Sequence, residues 1–479
     1  MEDYQKYLKR FGLTTMFRTG LVGWGASTGN GGMNHDIARL APWVTSWLCP
    51  KHPKFEWHEP YLDAVADKVK VIRCQREGDI EIYERFLDDV DVVLFIEHPY
   101  IKGYEIVEEC KKRGILTVCI PMWEWWPERK SWSQNLDMVW CVTKYTRQYF
   151  ETLAKYLIHR HDQCDWVDKI YGDKWGIELE EFKFTLRKQA KRFLFANGNG
   201  GGGALRKGSA IIAEAAAYIP DIEIVMLTQG DNYVKPMPEN VKIIQRNFPT
   251  KTEIYQNGDV FLVPTHWEGL GHGLYEAQAC GLPVVTTDAP PMDECGADWL
   301  IPISHSEQYK LSGKPIPKVF ADAKKLAKII REINGSDISD KSKAAREYVE
   351  KNNDLKDAID DLGKAIENAL ITYVQNNKID KEVVKYELLV EKAWKAFEQK
   401  DLARMNQFFS ESLSYTPFLK SETLLDWLNK FTQYSTSKDE AKNIVSITSS
   451  KEWKQLTEEV LDYNRDFNKT IKSENTTAV

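Results

Sequence analysis

The sequence predicts an α/β protein made of two doubly wound domains facing a cleft, with an added C-terminal helical region. Three observations carry that expectation. Short apolar runs alternate with amphipathic stretches over residues 17–143, and the alternation restarts at Arg192. Each series opens with a strand that runs into a glycine-rich turn. Beyond about residue 318 only helical periodicity remains.

In the first series the expected strands are FRTGLVG (17–23), VKVIR (69–73), DVVLFIE (91–97), ILTVCIP (115–121) and MVWCVT (138–143). They are nearly continuous apolar runs, as strands buried on both faces of a parallel sheet require. Helical segments such as YEIVEECKKRG (104–114) lie between them. The second series has RFLFAN (192–197), IEIVML (222–227), KIIQR (242–246), DVFLVP (259–264) and PVVTT (283–287). Two such units place a cleft at the carboxyl ends of both sheets, where folds of this class bind ligands. The expected division is 1–170, 171–335, a helical return over 336–379, and a helical extension over 380–479.

A chain of 479 residues implies two to four domains. The net charge of −7 argues against broad nucleic-acid binding. The opening MEDYQKYLKR is charged and leads into no apolar signal region. No run reaches the roughly 18 apolar residues that span a bilayer. The 8 cysteines form no C-x-x-C pair and suit a reduced, cytoplasmic protein, free or peripheral at the inner membrane surface.

The most informative stretch is HWEGLGHGLYEAQACGLPVV (266–285). It follows a buried strand and offers Glu268, Gly269, Leu270 and Gly271, then Glu276 on an incipient helix. Gly281 and Pro283 end that helix. The helix N-terminus therefore points into the cleft, with free N–H groups and a positive dipole end suited to a diphosphate.

This stretch resembles the E-G-x-G-x4-E fingerprint of the GT-B glycosyltransferases, in particular the large retaining family 4 (glycosyl transferases group 1). The resemblance covers about residues 15–375 and implies a GT-B fold of two Rossmann-like domains. It implies that Glu268 hydrogen-bonds the donor sugar and Glu276 the ribose, while the backbone of Gly269, Leu270 and Gly271 holds the sugar and the distal phosphate. FLFANGNGGGGALRKG (193–208) looks like the family's first phosphate loop, with Lys207 at the position of its lysine. The family's arginine falls in the glycine run here, so Arg206 either replaces it or points away. Gly31 and Gly32, in GLVGWGASTGNGGMNHDIARLA (20–41), would let backbone approach the donor phosphates, with Asn34 and His35 beside them. His98, at the end of a strand, matches a family histidine near the donor sugar, and Arg246 and Asn247 fall where the base is bound. Glu294 sits where the family often has an acidic residue near the phosphate loop. The tryptophans of PMWEWWPERKSW (121–132) either stack on an acceptor or pack beneath a loop.

No metal site is expected. Asp89 and Asp91 form D-x-D, but before a buried strand, where they cap it. No cofactor is expected beyond the nucleotide-diphosphate-sugar as donor substrate; the acceptor, a sugar, lipid-linked group or protein, is open. The C-terminal helices could self-associate or dock a partner. The expected reaction is sugar transfer with retention by front-face displacement, the leaving phosphate taking the acceptor proton. A nucleotide-sugar epimerase of the same fold and a non-catalytic scaffold are the alternatives.

Overall fold

The computed structural model describes residues 17–127, 131–160, 164–198, 206–377, 381–399 and 401–412. By its contacts the chain divides into residues 15–111 with 115–373, and residues 1–14 with 112–114 and 374–479.

The larger unit holds two parallel sheets. The first has seven strands in the order β3-β2-β1-β4-β5-β6-β7. These are β1 (Thr19–Val22), β2 (Val44–Pro50), β3 (Lys70–Cys74), β4 (Val92–Ile96), β5 (Leu116–Ile120), β6 (Met138–Trp140) and β7 (Ile170–Tyr171). The second has six, β10-β9-β8-β11-β12-β13. They are β8 (Phe193–Gly198), β9 (Ile224–Thr228), β10 (Val241–Gln245), β11 (Val260–Val263), β12 (Val284–Thr287) and β13 (Trp299–Ile301). Each order reverses beside its first strand, between β1 and β4 and between β8 and β11. That reversal opens a crevice at the carboxyl ends of the strands.

All ten sequence-predicted strands form. Three further strands, β2, β7 and β13, join the sheets without having been expected. So does an antiparallel ribbon of β14 (Ile303–Leu311) and β15 (Lys314–Ala321). VTSWLCP of β2 mixes polar and apolar residues yet is buried at all but one position, because sheet neighbours and helices cover both of its faces. The ribbon was illegible for the opposite reason: its first strand is almost wholly exposed, so no apolar run marks it.

The helices of the larger unit are α1 (Gly29–Leu40), α2 (Glu59–Asp63), α3 (Ile80–Asp88), α4 (Ile106–Lys112), α5 (Ser131–Gln134), α6 (Lys144–His159), α7 (Ser209–Tyr218), α8 (Lys251–Tyr255), α9 (His272–Ala279), α10 (Ala323–Ile333) and α11 (Ser339–Asn352), followed by α12 (Leu355–Asn377). The amphipathic pattern of α10 buries Leu326, Ala327, Ile330 and Ile333 at helical spacing, and Asp322 caps it by accepting from the Lys324 and Lys325 N–H groups. These residues join Phe193, Phe195, Ile212, Met226 and Leu262 in one core. Phe95, Val93 and Cys119 centre the core of the first sheet. After α11 the chain returns to that sheet's side: a Cβ on Gly363 of α12 would meet the Trp43 indole nitrogen at 2.5 Å.

The smaller unit carries α13 (Lys381–Glu398) and α14 (Leu402–Ser412), which pack as a pair. The rest of the expected extension, 413–479, lies outside the described residues. Among the described residues no helix is long and apolar enough to cross a membrane. All eight cysteines are free thiols, and seven are buried.

Candidate active site

The crevice of the second sheet assembles from two connections. The loop after β8 leads to Arg206 and Lys207; residues 199–205 of its glycine run lie outside the described residues. The loop after β11 carries Thr265 to Gly271. Bonds to one carbonyl lock the two together: Arg206 O accepts from the His266 backbone N–H at 2.9 Å and from the Thr265 side-chain hydroxyl at 3.1 Å. Gly208 has φ 86°, and a Cβ there would meet the Pro264 carbonyl oxygen at 2.0 Å, so only glycine lets the chain turn beneath β11 at this point.

The turn aims both cations at one carboxylate. Lys207 Nζ lies 2.6 Å from Glu268 Oε1 and Arg206 Nη1 lies 2.7 Å from Oε2. The Thr265 hydroxyl also lies 3.1 Å from Oε1, so its one proton is shared between that oxygen and the Arg206 carbonyl. Burial works to raise the Glu268 pKa, but Arg206 and Lys207 outweigh it and hold the carboxyl at about 2. Burial pulls the Lys207 ammonium below its usual range, with Glu268 opposing. With all three groups ionised the cluster carries one net positive charge, which suits an incoming anion. Arg206 therefore does not point to solvent. It shares Glu268 with Lys207, and its side chain is 19% exposed.

Gly271, with φ 80°, opens α9, whose N-terminus has no side-chain cap. Lys207, Glu268, Gly271, Gly273 and Tyr255 line a cavity of about 150 Å³ beneath it. Gly269 and Leu270 are buried in the same loop. The helix N-terminus with its dipole end and the Lys207 ammonium thus meet at one small cavity, with Arg206 on the other oxygen of Glu268.

A larger cavity of about 700 Å³ adjoins this region. One wall is Thr28, Gly29, Gly32, Met33 and Asp36 of the first loop and α1, with His58 and Tyr61. The other is Thr228, Arg246, Phe248, Lys251, His272 and Glu276. Glu276 is fixed from two sides: Tyr255 Oη donates to Oε2 at 2.6 Å, and Lys251 Nζ lies 3.6 Å from Oε1. Partial desolvation works against the Lys251 charge, but Glu276, Asp36 and Glu181 outweigh it and raise its pKa. Burial lowers the His272 pKa, with the Glu276 carboxylate opposing.

Other expected residues are placed as follows. Gly32 lines the large cavity, whereas Gly31 is buried and would drive a Cβ to 1.8 Å from the Ala26 carbonyl oxygen, so packing within the loop requires glycine there. Asn34 bonds Asn30 and His35 stacks on Tyr61. Arg246 lines the large cavity, its guanidinium 4.4 Å from the Phe248 ring centre. Asn247 is exposed and accepts from Gln229 at 3.0 Å. His98 follows β4 with its ring 3.8 Å from that of Tyr100; burial, with the Arg76 charge adding, lowers its pKa to about 4. The same turn holds Glu97 and Tyr100 at φ 66° and 56°, a strained pair of the kind that collects at functional sites.

One sequence expectation resolves differently, and the choice left open for the tryptophans narrows. Glu294 turns away from the phosphate loop and caps α6 in the first lobe, accepting from the Lys144 and Tyr145 N–H groups at 2.8 and 2.7 Å. Trp123 and Trp126 are buried, each 2% exposed, and the Trp123 indole donates to the Glu268 carbonyl at 2.8 Å; packing is their role. Asp91 accepts from the backbone and guanidinium of Arg18, which makes it a structural tie between the starts of the neighbouring strands β1 and β4 in the middle of the sheet.

Sequence reasoning missed Lys251, Tyr61, His272 and Glu124. Lys251 and Tyr61 carry no motif and reach the cavity only through the fold, whereas His272 lies inside the quoted 266–285 stretch, directly after Gly271. Glu124 had a signal: an acid inside an aromatic run is a buried acid in waiting. Among the described residues Asp36, Glu178 and Glu181 bring ligand atoms within 4.8 Å of one another. Arg39 pairs with Glu178, and Lys251 lies 3.7 Å from Glu181, so cations already attend that cluster.

Residues 235–333 match the family model described as Glycosyl transferases group 1. The match includes Glu268 and Glu276 and leaves Arg206 and Lys207 outside. No curated protein matches the sequence. Among solved structures the chain resembles Alr3699/HepE of Anabaena in complex with UDP, with TM-score 0.53 and 12% identity over 74% of this chain and 100% of that one. It also resembles a glycosyltransferase of Rickettsia africae ESF-5, with TM-score 0.51 and 14% identity over 77% and 100%. A third is the N-terminal domain of Candida albicans trehalose-6-phosphate phosphatase, with TM-score 0.50 and 11% identity over 74% and 97%. The chain has the GT-B fold. The family match on that fold supports glycosyl transfer and does not favour the epimerase or scaffold alternatives.

Proposed function

We propose that the protein is a retaining glycosyltransferase that moves a sugar from a nucleotide-diphosphate-sugar to an acceptor hydroxyl by front-face displacement. The observation that carries this reading is the cation pair Arg206–Lys207 on Glu268, beside the uncapped start of α9. A diphosphate placed there meets positive charge and free N–H groups at the point where negative charge builds as it departs. Glu276, across the larger cavity, would take the ribose hydroxyls, and Arg246 and Phe248 the base. Glu268 would bind the sugar. The acceptor attacks from the face the diphosphate leaves, and a phosphate oxygen takes its proton. Catalysis then rests on electrostatics and positioning. Alr3699/HepE has been solved with UDP, which makes uridine nucleotides the first donors to try.

Incubation with labelled nucleotide-sugars tests the reading. Transfer or slow hydrolysis is expected; conversion to an isomeric nucleotide-sugar, or binding with no turnover, would overturn it.

Two further results are expected. Glu276→Ala weakens donor binding by about 10–100-fold, the worth of hydrogen bonds to a charged group. Titration calorimetry measures this, and urea unfolding separates it from lost stability; unchanged affinity removes Glu276 from the site. Activity survives EDTA, because Lys207, Arg206 and α9 already supply the positive charge. Abolition by EDTA with rescue by magnesium or manganese would refute that accounting.

A further inference from the structure

Glu124 lies in the short turn Trp123–Trp125 that follows β5 in the first lobe. It is 5% exposed, and its Oε2 has no hydrogen-bond partner among the described residues. The carboxyl rests against the Glu268–Gly271 loop of the second lobe. A Cβ on Gly269 would meet Oε1 at 2.5 Å and Oε2 at 2.8 Å, so any side chain there would push this carboxyl aside. The neighbouring Trp123 indole, bonded to the Glu268 carbonyl, fixes the turn in place. A buried polar atom without a partner is costly, and where one persists a ligand can complete it.

We propose that Glu124 is the first lobe's reader of the transferred sugar: its free Oε2 hydrogen-bonds a hydroxyl of an uncharged glycosyl unit held on the Glu268–Gly271 loop. This rests on the donor reading above. Burial pushes the Glu124 carboxyl up to about 7; its own backbone N–H and Arg206 oppose this, while Glu97 and Glu268 add to it. Near neutral pH the group thus spends much of its time as a carboxylic acid, able to donate to one sugar oxygen and accept from another. The single net positive charge of the Arg206–Lys207–Glu268 cluster is taken up by the diphosphate, so a carboxylate carried by the sugar itself would be buried beside Glu97 with no cation left to pair it. The substrate class is therefore a neutral hexosyl donor, not a uronate.

The test is titration calorimetry on the full chain with UDP-, GDP-, ADP- and dTDP-linked neutral hexoses and the bare nucleoside diphosphates. Glu124→Ala is expected to weaken the accepted nucleotide-sugar by about tenfold and to leave its nucleoside diphosphate unchanged. Glu124→Gln, which keeps a donor and an acceptor in the same shape, recovers most of the loss. The uronate of the accepted nucleotide binds wild type at least about tenfold more weakly than the neutral hexose, and Glu124→Gln narrows that gap. Equal losses for the nucleotide-sugar and the nucleoside diphosphate would make Glu124 a prop for the loop and overturn the proposal. So would no loss, or a uronate bound as well as the hexose. If no compound in the panel binds wild type, the donor reading itself fails and this inference falls with it; binding of the nucleotides with no Glu124 effect leaves that reading standing and sinks only this one.

Discussion

Lys207→Ala lowers kcat by about 10²–10³-fold and changes the donor KM much less. The interaction strengthens as the diphosphate leaves, so its loss falls on the transition state rather than on ground-state binding. Arg206→Ala is expected to behave alike, because both cations lie on opposite oxygens of Glu268, at 2.7 Å for Arg206 and 2.6 Å for Lys207. Steady-state kinetics of both variants with one donor decide the matter. A silent Arg206→Ala would confine Arg206 to holding Glu268. A silent Lys207→Ala would remove the phosphate site altogether.

Glu268→Ala abolishes detectable transfer and destabilises the fold by about 3 kcal/mol. Removing one member of a buried ion cluster strands its partners, at a cost of about 3–5 kcal/mol. The lower end applies because Arg206 and Lys207 keep 19% and 29% of their side chains exposed, so water reaches them in part. Urea unfolding measures the loss. Inorganic pyrophosphate should restore part of it in the variant, by giving the stranded cations a counter-ion. The pH dependence has a definite sign. The Glu268 carboxyl is held at about 2 against an unperturbed 4.5. Its stabilising effect is therefore fully present above about pH 4.5, and is lost as the pH falls through that interval towards 2. Glu268→Ala lacks this acid-side decline. A stability unchanged by the substitution would mean that the cluster is not formed in solution.

Much of the fold was legible because parallel sheets buried on both faces write themselves as apolar runs, and VVLFI and VFLV are such runs. The chemistry at Glu268, Gly271 and Glu276 was legible because a strand, a glycine turn and a helix start are contiguous in the chain. What was illegible depends on contacts between distant segments. Arg206 could not be aimed from sequence, since its carbonyl is held by the Thr265 hydroxyl and the His266 N–H, and its guanidinium by the Trp267 carbonyl and Glu268, some sixty residues on. Glu294 was placed by analogy near the phosphate loop, but the chain path carries it to a helix 150 residues away in sequence. Gly31 and Gly32 are adjacent and identical in type, yet one lines a cavity and the other makes room for a carbonyl.

The capping of the helices has its own consequence for how a ligand lies in the cleft. In the first lobe, α1 is closed by Thr28 and α6 by Thr143 together with Glu294. In the second, α7 and α9 both begin at left-handed glycines with no side-chain cap. At the two glycine turns of the second lobe the electropositive helix ends are thus left open, whereas α1 and α6 present closed ends. A molecule with an anionic middle and uncharged extremities meets an asymmetric field, like a plug with one keyed pin, and its orientation is decided before any hydroxyl is inspected.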